Sequence, residues 1–163
     1  MAGLCGLLLV AASGVPAQAH RSDSGMPSAR QQVKPYNYNP TWMSAMDRAL
    51  ANWNATPTPA YITKSSGALN TVMVSSYRDT WFGAYKRGVH VTGYYYYIRL
   101  NQRRINQEAV NFQNFVTSVL VHEFGHALRL GHVSGTSIMY DGRNRNSMHR
   151  PQQHDIDDVN AYY

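Results

Sequence analysis

The residues with the clearest chemical potential are two histidines and a glutamate in the last third of the chain. His122 and His126 are four residues apart, and Glu123 directly follows the first of them. On a helix, residues four apart lie on one face, so both imidazoles can reach a single ion. Glu123 is displaced by roughly 100° around the helix axis, which places it beside the ion and outside its ligand shell. This pattern is typical of a zinc site with an adjacent general base.

A third imidazole, His132, follows six residues after His126. Gly131 precedes it, so we expect the helix to end near Leu130 and the chain to turn back toward the ion. Three neutral nitrogens with one open position are typical of catalytic zinc. Such an ion lowers the pKa of a bound water to near 7, and Glu123 would take up the proton and pass it to the leaving amine.

A methionine-containing segment strengthens this interpretation against the alternative of two ordinary core or surface histidines. Residues 137–140 read Ser-Ile-Met-Tyr, and residues 155–162 read DIDDVNAY. With the histidine motif, they resemble the metzincin clan of zinc endopeptidases, and within it the matrixins, over about residues 33–163. The resemblance implies that Glu123 is the general base and that Met139 forms a hydrophobic floor beneath one zinc ion. It assigns the zinc ligands to three histidines: His122, His126 and His132.

The chain also departs from the family pattern near the site. Arg129 stands where the family usually has glycine, which predicts either a later turn at Gly131 or an unusual backbone conformation of Arg129. Asp141 follows Tyr140 where matrixins have proline, so the wall of the pocket beyond the cleaved bond should differ. Astacins and serralysins carry a tyrosine ligand two residues after the methionine, and Asp141 stands there, so Tyr140 is not assigned to the metal. The resemblance implies that Asp155 braces the methionine turn; the alternative is an exposed acid at a helix N-terminus.

The elements that must position these residues form a mixed pattern. Apolar residues at three- and four-residue steps predict helices over about 41–54 and 106–130, with a short last helix from Pro151. Short β-prone runs predict four to five strands, at residues 33–38, 61–64, 70–77, 89–91 and 94–100. The fold class is therefore α+β, and the resemblance implies a metzincin-like single catalytic domain with a twisted, mostly parallel mixed sheet. We expect an exposed edge strand among residues 80–95 to hold an extended polypeptide substrate.

The first 32 residues differ from the remainder. Residues 4–12 are apolar, and Ala17-Gln18-Ala19 fits the small-x-small pattern of a signal peptidase site. We therefore expect a signal peptide over residues 1–19, a flexible leader or propeptide remnant over 20–32, and the catalytic domain over 33–163. Cys5 is the single cysteine and lies in the removable segment, so the mature protein has no disulfide. These features predict a secreted, extracellular protein.

The amino-acid composition limits which molecules the protein is expected to bind. The net charge is +6, with no acidic residue between Asp79 and Glu108. This indicates either a solvated surface or attraction to acidic substrates or an anionic surface. No nucleic-acid motif and no apolar run of membrane-spanning length is present. We expect a monomer that binds zinc; nine acidic residues in all do not support structural calcium.

Two other functions remain compatible with the sequence. The first is an exported zinc-binding protein without turnover, although an intact Glu123 counts against it. The second is an envelope-associated structural protein, suggested by the basic charge and by the tyrosine run at residues 94–97. The remaining histidines His90, His149 and His154 are interpreted as surface residues, although a second zinc could in principle use them.

Overall fold

This computed structural model describes residues 21–163, which form five strands of one sheet and four helices. The signal peptide predicted over residues 1–19 lies outside the described residues. The strands are β1 (Arg30–Tyr36), β2 (Tyr61–Lys64), β3 (Asn70–Ser75), β4 (Gly83–His90) and β5 (Gly93–Asn101). The helices are α1 (Pro40–Asn54), α2 (Gln102–Glu108), α3 (Phe112–Ala127) and α4 (Gln153–Tyr162). No helix within these residues is both long and apolar enough to cross a membrane.

The five strands form a single mixed sheet in the order β2-β1-β3-β5-β4. The pairs β1–β2, β1–β3 and β3–β5 are parallel, and only β4 runs antiparallel to its neighbour β5. This arrangement confirms the mostly parallel α+β fold. β4 starts six residues before the run predicted at 89–91, and it forms one edge of the sheet, within the 80–95 range expected for an edge strand.

Helix α1 supports the helix that carries the histidines. Asn39 caps α1 by accepting a hydrogen bond from the Trp42 backbone N–H at 3.1 Å, and Pro40 occupies the first helical turn. The apolar stripe predicted over 41–54 is buried against α3. The indole N–H of Trp53 donates to the backbone oxygen of Val121 at 2.9 Å. This directional hydrogen bond inside an apolar interface fixes how far α3 can slide along α1, which apolar packing alone defines less sharply.

The single long helix predicted over 106–130 is wrong, because the structure has two helices there, α2 and α3, and α3 ends at Ala127. Asn111 interrupts it, because its side chain accepts from the Asn114 backbone N–H and caps the start of α3. The Asn146 side chain, from a loop 35 residues away, accepts from the N–H groups of Val110 and Asn111 at 3.0 and 2.8 Å. The segment is therefore two helices, α2 and α3, since these N–H groups are bonded outside any helix.

The segment predicted to be a flexible leader over residues 20–32 belongs to the fold from residue 21 onward. The Ser22 N–H donates to the Arg129 oxygen at 2.7 Å, and the Met26 N–H donates to the Ala127 oxygen at 2.9 Å. Met26 is buried, and β1 begins at Arg30, three residues before the predicted start. Polar composition suggested a solvated segment, but its backbone groups bond to the end of α3 instead.

Candidate metal centre

Helix α3 places His122 and His126 on the same side, one turn apart. The ring centroids are 4.8 Å apart, with the rings nearly perpendicular. Twelve residues of α3 are buried, including His122 and Glu123, because the helix packs between α1 and the sheet. A side chain on such a helix loses little freedom when it binds an ion, since packing already holds it.

The chain reaches His132 through a tight reversal after Ala127. Arg129 adopts a left-handed backbone with φ of 72°, so the prediction of an unusual conformation at this residue is confirmed, and the alternative of a later turn at Gly131 is wrong. The Leu130 N–H donates to the Gly125 oxygen and the Arg129 N–H to the His126 oxygen, at 2.9 and 3.1 Å. This pair of bonds is the Schellman motif, in which the left-handed position is normally glycine.

The reversal brings three imidazoles together. The Nε2 atom of His132 lies 3.1 Å from Nε2 of His126 and 3.2 Å from Nε2 of His122. Among the residues that the structure describes, these three form the group of donors able to hold a metal ion. Tetrahedral zinc with nitrogen bonds of about 2.0–2.1 Å would separate its ligand nitrogens by roughly 3.3 Å, so the observed spacing fits zinc.

The outer nitrogens of two ligand rings are already bonded to the backbone. Nδ1 of His122 donates to the Ile138 oxygen and Nδ1 of His126 to the Leu130 oxygen, both at 2.9 Å. Both Nε2 atoms therefore carry lone pairs toward the centre, as metal-binding histidines do. Burial lowers the pKa of His122 well below its ordinary value and lowers that of His126, which favours the neutral, metal-binding form.

The methionine turn is held from below by α4. The Asp155 carboxylate is buried and accepts hydrogen bonds from the Ser137 hydroxyl, the Ile138 N–H at 2.9 Å and the Gln152 N–H at 2.7 Å. Its position agrees with the bracing role that the resemblance implies and not with an exposed helix cap. Because the Ile138 oxygen also accepts from His122, Asp155 is connected to one of the three candidate metal ligands through a single residue.

Met139 and Tyr140 lie on opposite sides of this turn. Met139 is buried against Gly125, where a Cβ atom would overlap its sulfur, so glycine at position 125 lets the methionine pack next to His126. Tyr140 is exposed and lies outside the group of three metal-binding histidines. Gly131 connects the reversal to His132 without supplying the left-handed residue, which is Arg129.

Glu123 is buried beneath the edge strand β4. A Cβ atom on Gly83 would lie 2.5 Å from the Oε1 of Glu123, so glycine at this position allows β4 to approach the carboxylate. The backbone N–H of Tyr85 donates to the same carboxylate. Burial raises the pKa of Glu123 to about 8 in the metal-free protein. A carboxylate in this environment readily accepts and returns a proton near neutral pH.

A cavity of about 490 Å³ opens beside these groups. One wall is residues 80–85, from the start of β4, and the other carries the three histidines, Glu123 and Val119. Three charged residues after the methionine turn complete it: Asp141, Arg143 and Arg145. The Asp141 carboxylate is 3.5 Å from Nδ1 of His132 and 3.8 Å from Nε2 of His122.

Sequence reasoning did not find the two arginines of this cavity. Arg143 is buried and donates to the Ser118 hydroxyl and backbone oxygen, both at 3.1 Å, and to the Tyr140 oxygen at 3.0 Å. Its Nη1 also approaches Nδ1 of His122 at 3.2 Å. Two arginines spaced by one residue just after the methionine turn were the available signal, but only the fold shows that both line the site.

The family follows from the sequence and from this geometry together. A sequence model of the matrixin peptidase family, described as Matrixin, matches residues 36–163. The chain belongs to the matrixin family. Matrixins are metzincin-type zinc metallopeptidases, so this matrixin is a hydrolase, and its three-histidine group fits the single zinc ion that the family uses.

Two solved archaemetzincin structures are similar to this matrixin. The protein from Methanopyrus kandleri is 11% identical with a TM-score of 0.58, covering 82% of this chain and 96% of that chain. The protein from Archaeoglobus fulgidus, complexed with malonate, is 17% identical with a TM-score of 0.44, covering 74% and 91%. At 11% identity, the similarity to the Methanopyrus kandleri protein concerns the fold alone. No curated protein sequence matches the chain.

Proposed function

We propose that this matrixin is a secreted zinc endopeptidase in which Glu123 is the general base and His122, His126 and His132 are the zinc ligands. One observation carries the proposal. Three imidazole nitrogens converge at 3.1–3.2 Å beside a buried carboxylate, in a cavity that an edge strand borders. A binding protein without turnover would have no use for a buried acid at this position, because an uncompensated buried carboxylate destabilises the fold.

Different residues of the chain would transfer the proton, exclude water and orient the histidine rings. When bound, zinc supplies Lewis-acid chemistry that polarises a carbonyl and lowers the pKa of water. Glu123 accepts the proton of the attacking water and returns it to the departing amine nitrogen. Met139 and Gly125 exclude water from beneath the ligand rings, and the carbonyls of Ile138 and Leu130 hold those rings in orientation.

The substrate would bind as an extended polypeptide along β4. In the described part of the chain, β4 pairs with β5 alone, so its other edge has no strand neighbour. Backbone hydrogen bonds to such an edge hold a peptide irrespective of its side chains, and the cavity then selects the side chain near the cleaved bond. This mode suits cleavage within a chain, which is the basis for proposing an endopeptidase.

The variant Glu123→Gln tests the proposed base. It should retain one zinc per chain and lose hydrolysis by roughly 10²–10⁴-fold, the usual contribution of a general base. Acetylated and amidated peptides should be used as substrates, because only internal cleavage can act on blocked ends. Glu108→Gln is the control, since Glu108 is an exposed partner of Arg104 on α2. Full activity of Glu123→Gln would exclude the assignment, and loss of zinc would show that Glu123 holds the metal instead.

Export and the monomeric state are further parts of the proposal. Export is supported by the apolar run at residues 4–12 and the Ala17-Gln18-Ala19 pattern. Expression of the full chain in an exporting host should yield extracellular protein whose first residue is His20, measured by N-terminal mass spectrometry. Light scattering on that material should give the mass of a single chain. Intracellular retention of the uncleaved chain would contradict the export proposal without affecting the enzymatic one.

A further inference from the structure

Among the residues that the structure describes, the cavity beside the metal centre contains one cation without a hydrogen-bond or ion-pair partner, Arg145. Arg143 uses its donors on Ser118 and Tyr140, as described above. Arg145 lines the same cavity and is half-buried. Within residues 21–163, Arg145 makes neither a hydrogen bond nor an ion pair with another protein group. Partial burial of a guanidinium costs free energy, and a ligand that accepts hydrogen bonds from its free N–H groups offsets that cost.

The neighbours of Arg145 hold it in place without neutralising it. Its guanidinium lies 4.8 Å from the ring centroid of Phe82, which packs edge-on against Phe115 at 5.0 Å. The acidic groups that face it are Glu123 and Asp141, and neither lies within ion-pair distance. Glu123 is bonded to the backbone of Tyr85, and Asp141 lies against His122 and His132. Both cavity carboxylates are therefore occupied elsewhere.

We propose that Arg145 binds a carboxylate of the polypeptide substrate beside the cleaved bond, which makes this matrixin selective for acidic sequences. The inference rests on the proposed endopeptidase function and names its substrate class. A guanidinium presents paired N–H donors that match the two oxygens of a carboxylate, and the match is stronger in a partly desolvated cavity. The carboxylate could belong to an Asp or Glu side chain or to the end of a chain, and the two sources are separated experimentally below.

Arg104 provides a matched comparison for Arg145, because it lies near the same Phe82 ring but does not line the cavity. Its guanidinium also lies near Phe82, at 5.4 Å from the centroid. It differs from Arg145 because it pairs with Glu108 at 3.1 Å and donates to the Thr80 oxygen at 3.3 Å. Substitution of Arg104 therefore removes an equal charge near the same aromatic ring but no unpaired donor.

The experiment measures kcat/KM for matched peptide pairs. A blocked peptide with a mapped cleavage site is synthesised with Glu, Gln or Lys at each of the two positions that flank the cleaved bond. At one position the wild type should prefer Glu by roughly tenfold or more, as expected for a charge-assisted hydrogen bond. Arg145→Gln should reduce this ratio to near one, and Arg145→Glu should make Lys better than Glu. Arg104→Gln should keep the wild-type ratio.

The source of the carboxylate is tested with a second peptide set. Peptides that end at the same position are compared as free acids and as amides. Preference for internal Glu in blocked peptides assigns the site to an acidic side chain, and preference for the free acid alone assigns it to a chain terminus. Either result supports carboxylate binding by Arg145, but preference for the free acid alone overturns the selectivity for acidic sequences. A ratio near one in both sets, or a preference that survives Arg145→Gln, overturns the inference.

Failure of the inference and failure of the proposed function give different results. Absence of zinc-dependent hydrolysis of every peptide by the wild type would reject the endopeptidase itself. Binding provides a readout that needs no turnover: Glu123→Gln should bind the Glu peptide roughly tenfold more tightly than the Gln peptide by calorimetry. If Arg145→Gln does not fold, Arg145→Lys replaces it; loss of the paired donors should lower the Glu preference while keeping the charge.

Discussion

The metal centre is built from two regions that obtain their geometry in different ways. Helix α3 carries His122, Glu123 and His126, and its geometry is local, because residues four apart on a helix share a face. Residues 128–145 form an irregular segment that carries His132, Met139 and both cavity arginines. Distant residues fix this segment, among them Ser22 at the Arg129 carbonyl and Asp155 at the methionine turn.

Because the two regions are held in different ways, substitutions in one should mainly affect catalysis and substitutions in the other should mainly affect stability. Side chains of α3 can change while the helix remains packed against α1, so substitutions there should remove catalysis and leave the fold intact. The irregular segment depends on a few polar contacts and on one strained residue, Arg129, so substitutions there should first affect the free energy of unfolding. Four experiments test this comparison.

The largest effect should come from His126→Ala on α3. Loss of one ligand should weaken zinc binding by far more than the roughly 10–100-fold typical of losing a group that only orients a ligand, and hydrolysis should fall to background. Metal analysis after dialysis and circular dichroism measure zinc content and folding separately. His90→Ala is the control, because His90 is exposed and its ring bonds to Thr92, outside the group of three histidines. Stoichiometric zinc in His126→Ala would contradict the ligand set.

The second test compares metal-free wild type with Glu123→Gln across pH. The folded protein has a Glu123 pKa of about 8 against an ordinary value of 4.5, so it binds more protons than the unfolded chain between these values. The stability contribution of Glu123 is therefore complete below pH about 4.5 and is lost as the pH rises toward 8. At about 1.4 kcal/mol per pKa unit, the loss amounts to several kcal/mol, and Glu123→Gln should not show it.

Urea unfolding in the presence of a chelator measures this difference at several pH values. Glu108→Gln should follow the wild type, since its carboxylate is exposed to solvent. A constant difference between wild type and Glu123→Gln from pH 5 to 8 would show that burial does not control this carboxylate. That result would also leave no evidence that the buried carboxylate of α3 lowers the stability of the metal-free protein near neutral pH.

The third test removes the brace of the irregular segment. Asp155→Asn should lower the free energy of unfolding by about 3 kcal/mol, because an amide cannot accept all the hydrogen bonds that the buried carboxylate receives. Asp157→Asn, two residues along α4 and exposed, should change it by less than about 0.5 kcal/mol. Thermal and urea unfolding measure both variants. Equal stability of the two variants would remove Asp155 as a support of the turn.

The smallest effect concerns the strained residue of the reversal. Arg129→Gly should be more stable than Arg129→Ala by about 1 kcal/mol, since glycine adopts a φ of 72° without the Cβ conflict that alanine keeps. Comparing the two variants cancels the loss of the arginine side chain. If alanine were equal or better, the left-handed conformation would not be a source of strain.

The sequence predicted the part of the site that local rules govern. Spacing placed His122 and His126 on one helix face, and the Ser-Ile-Met-Tyr motif with Asp155 indicated the turn beneath them. The sequence could not place the Asn111 helix break, because its partner Asn146 lies 35 residues away. It also predicted a flexible leader over residues 20–32, since the backbone bonds of Ser22 and Met26 to the end of α3 leave no compositional signal.

The sequence by itself therefore determined the family and its zinc ion and predicted Glu123 as the general base, because helix periodicity and short motifs are local properties of the chain. Only the tertiary structure decided how the chain turns at Arg129 and which charges enter the cavity. A left-handed residue is stabilised by its surroundings rather than by its own preference. Arg143 and Arg145 are alike in the sequence, and only packing engages the donors of the first and leaves those of the second available to a substrate.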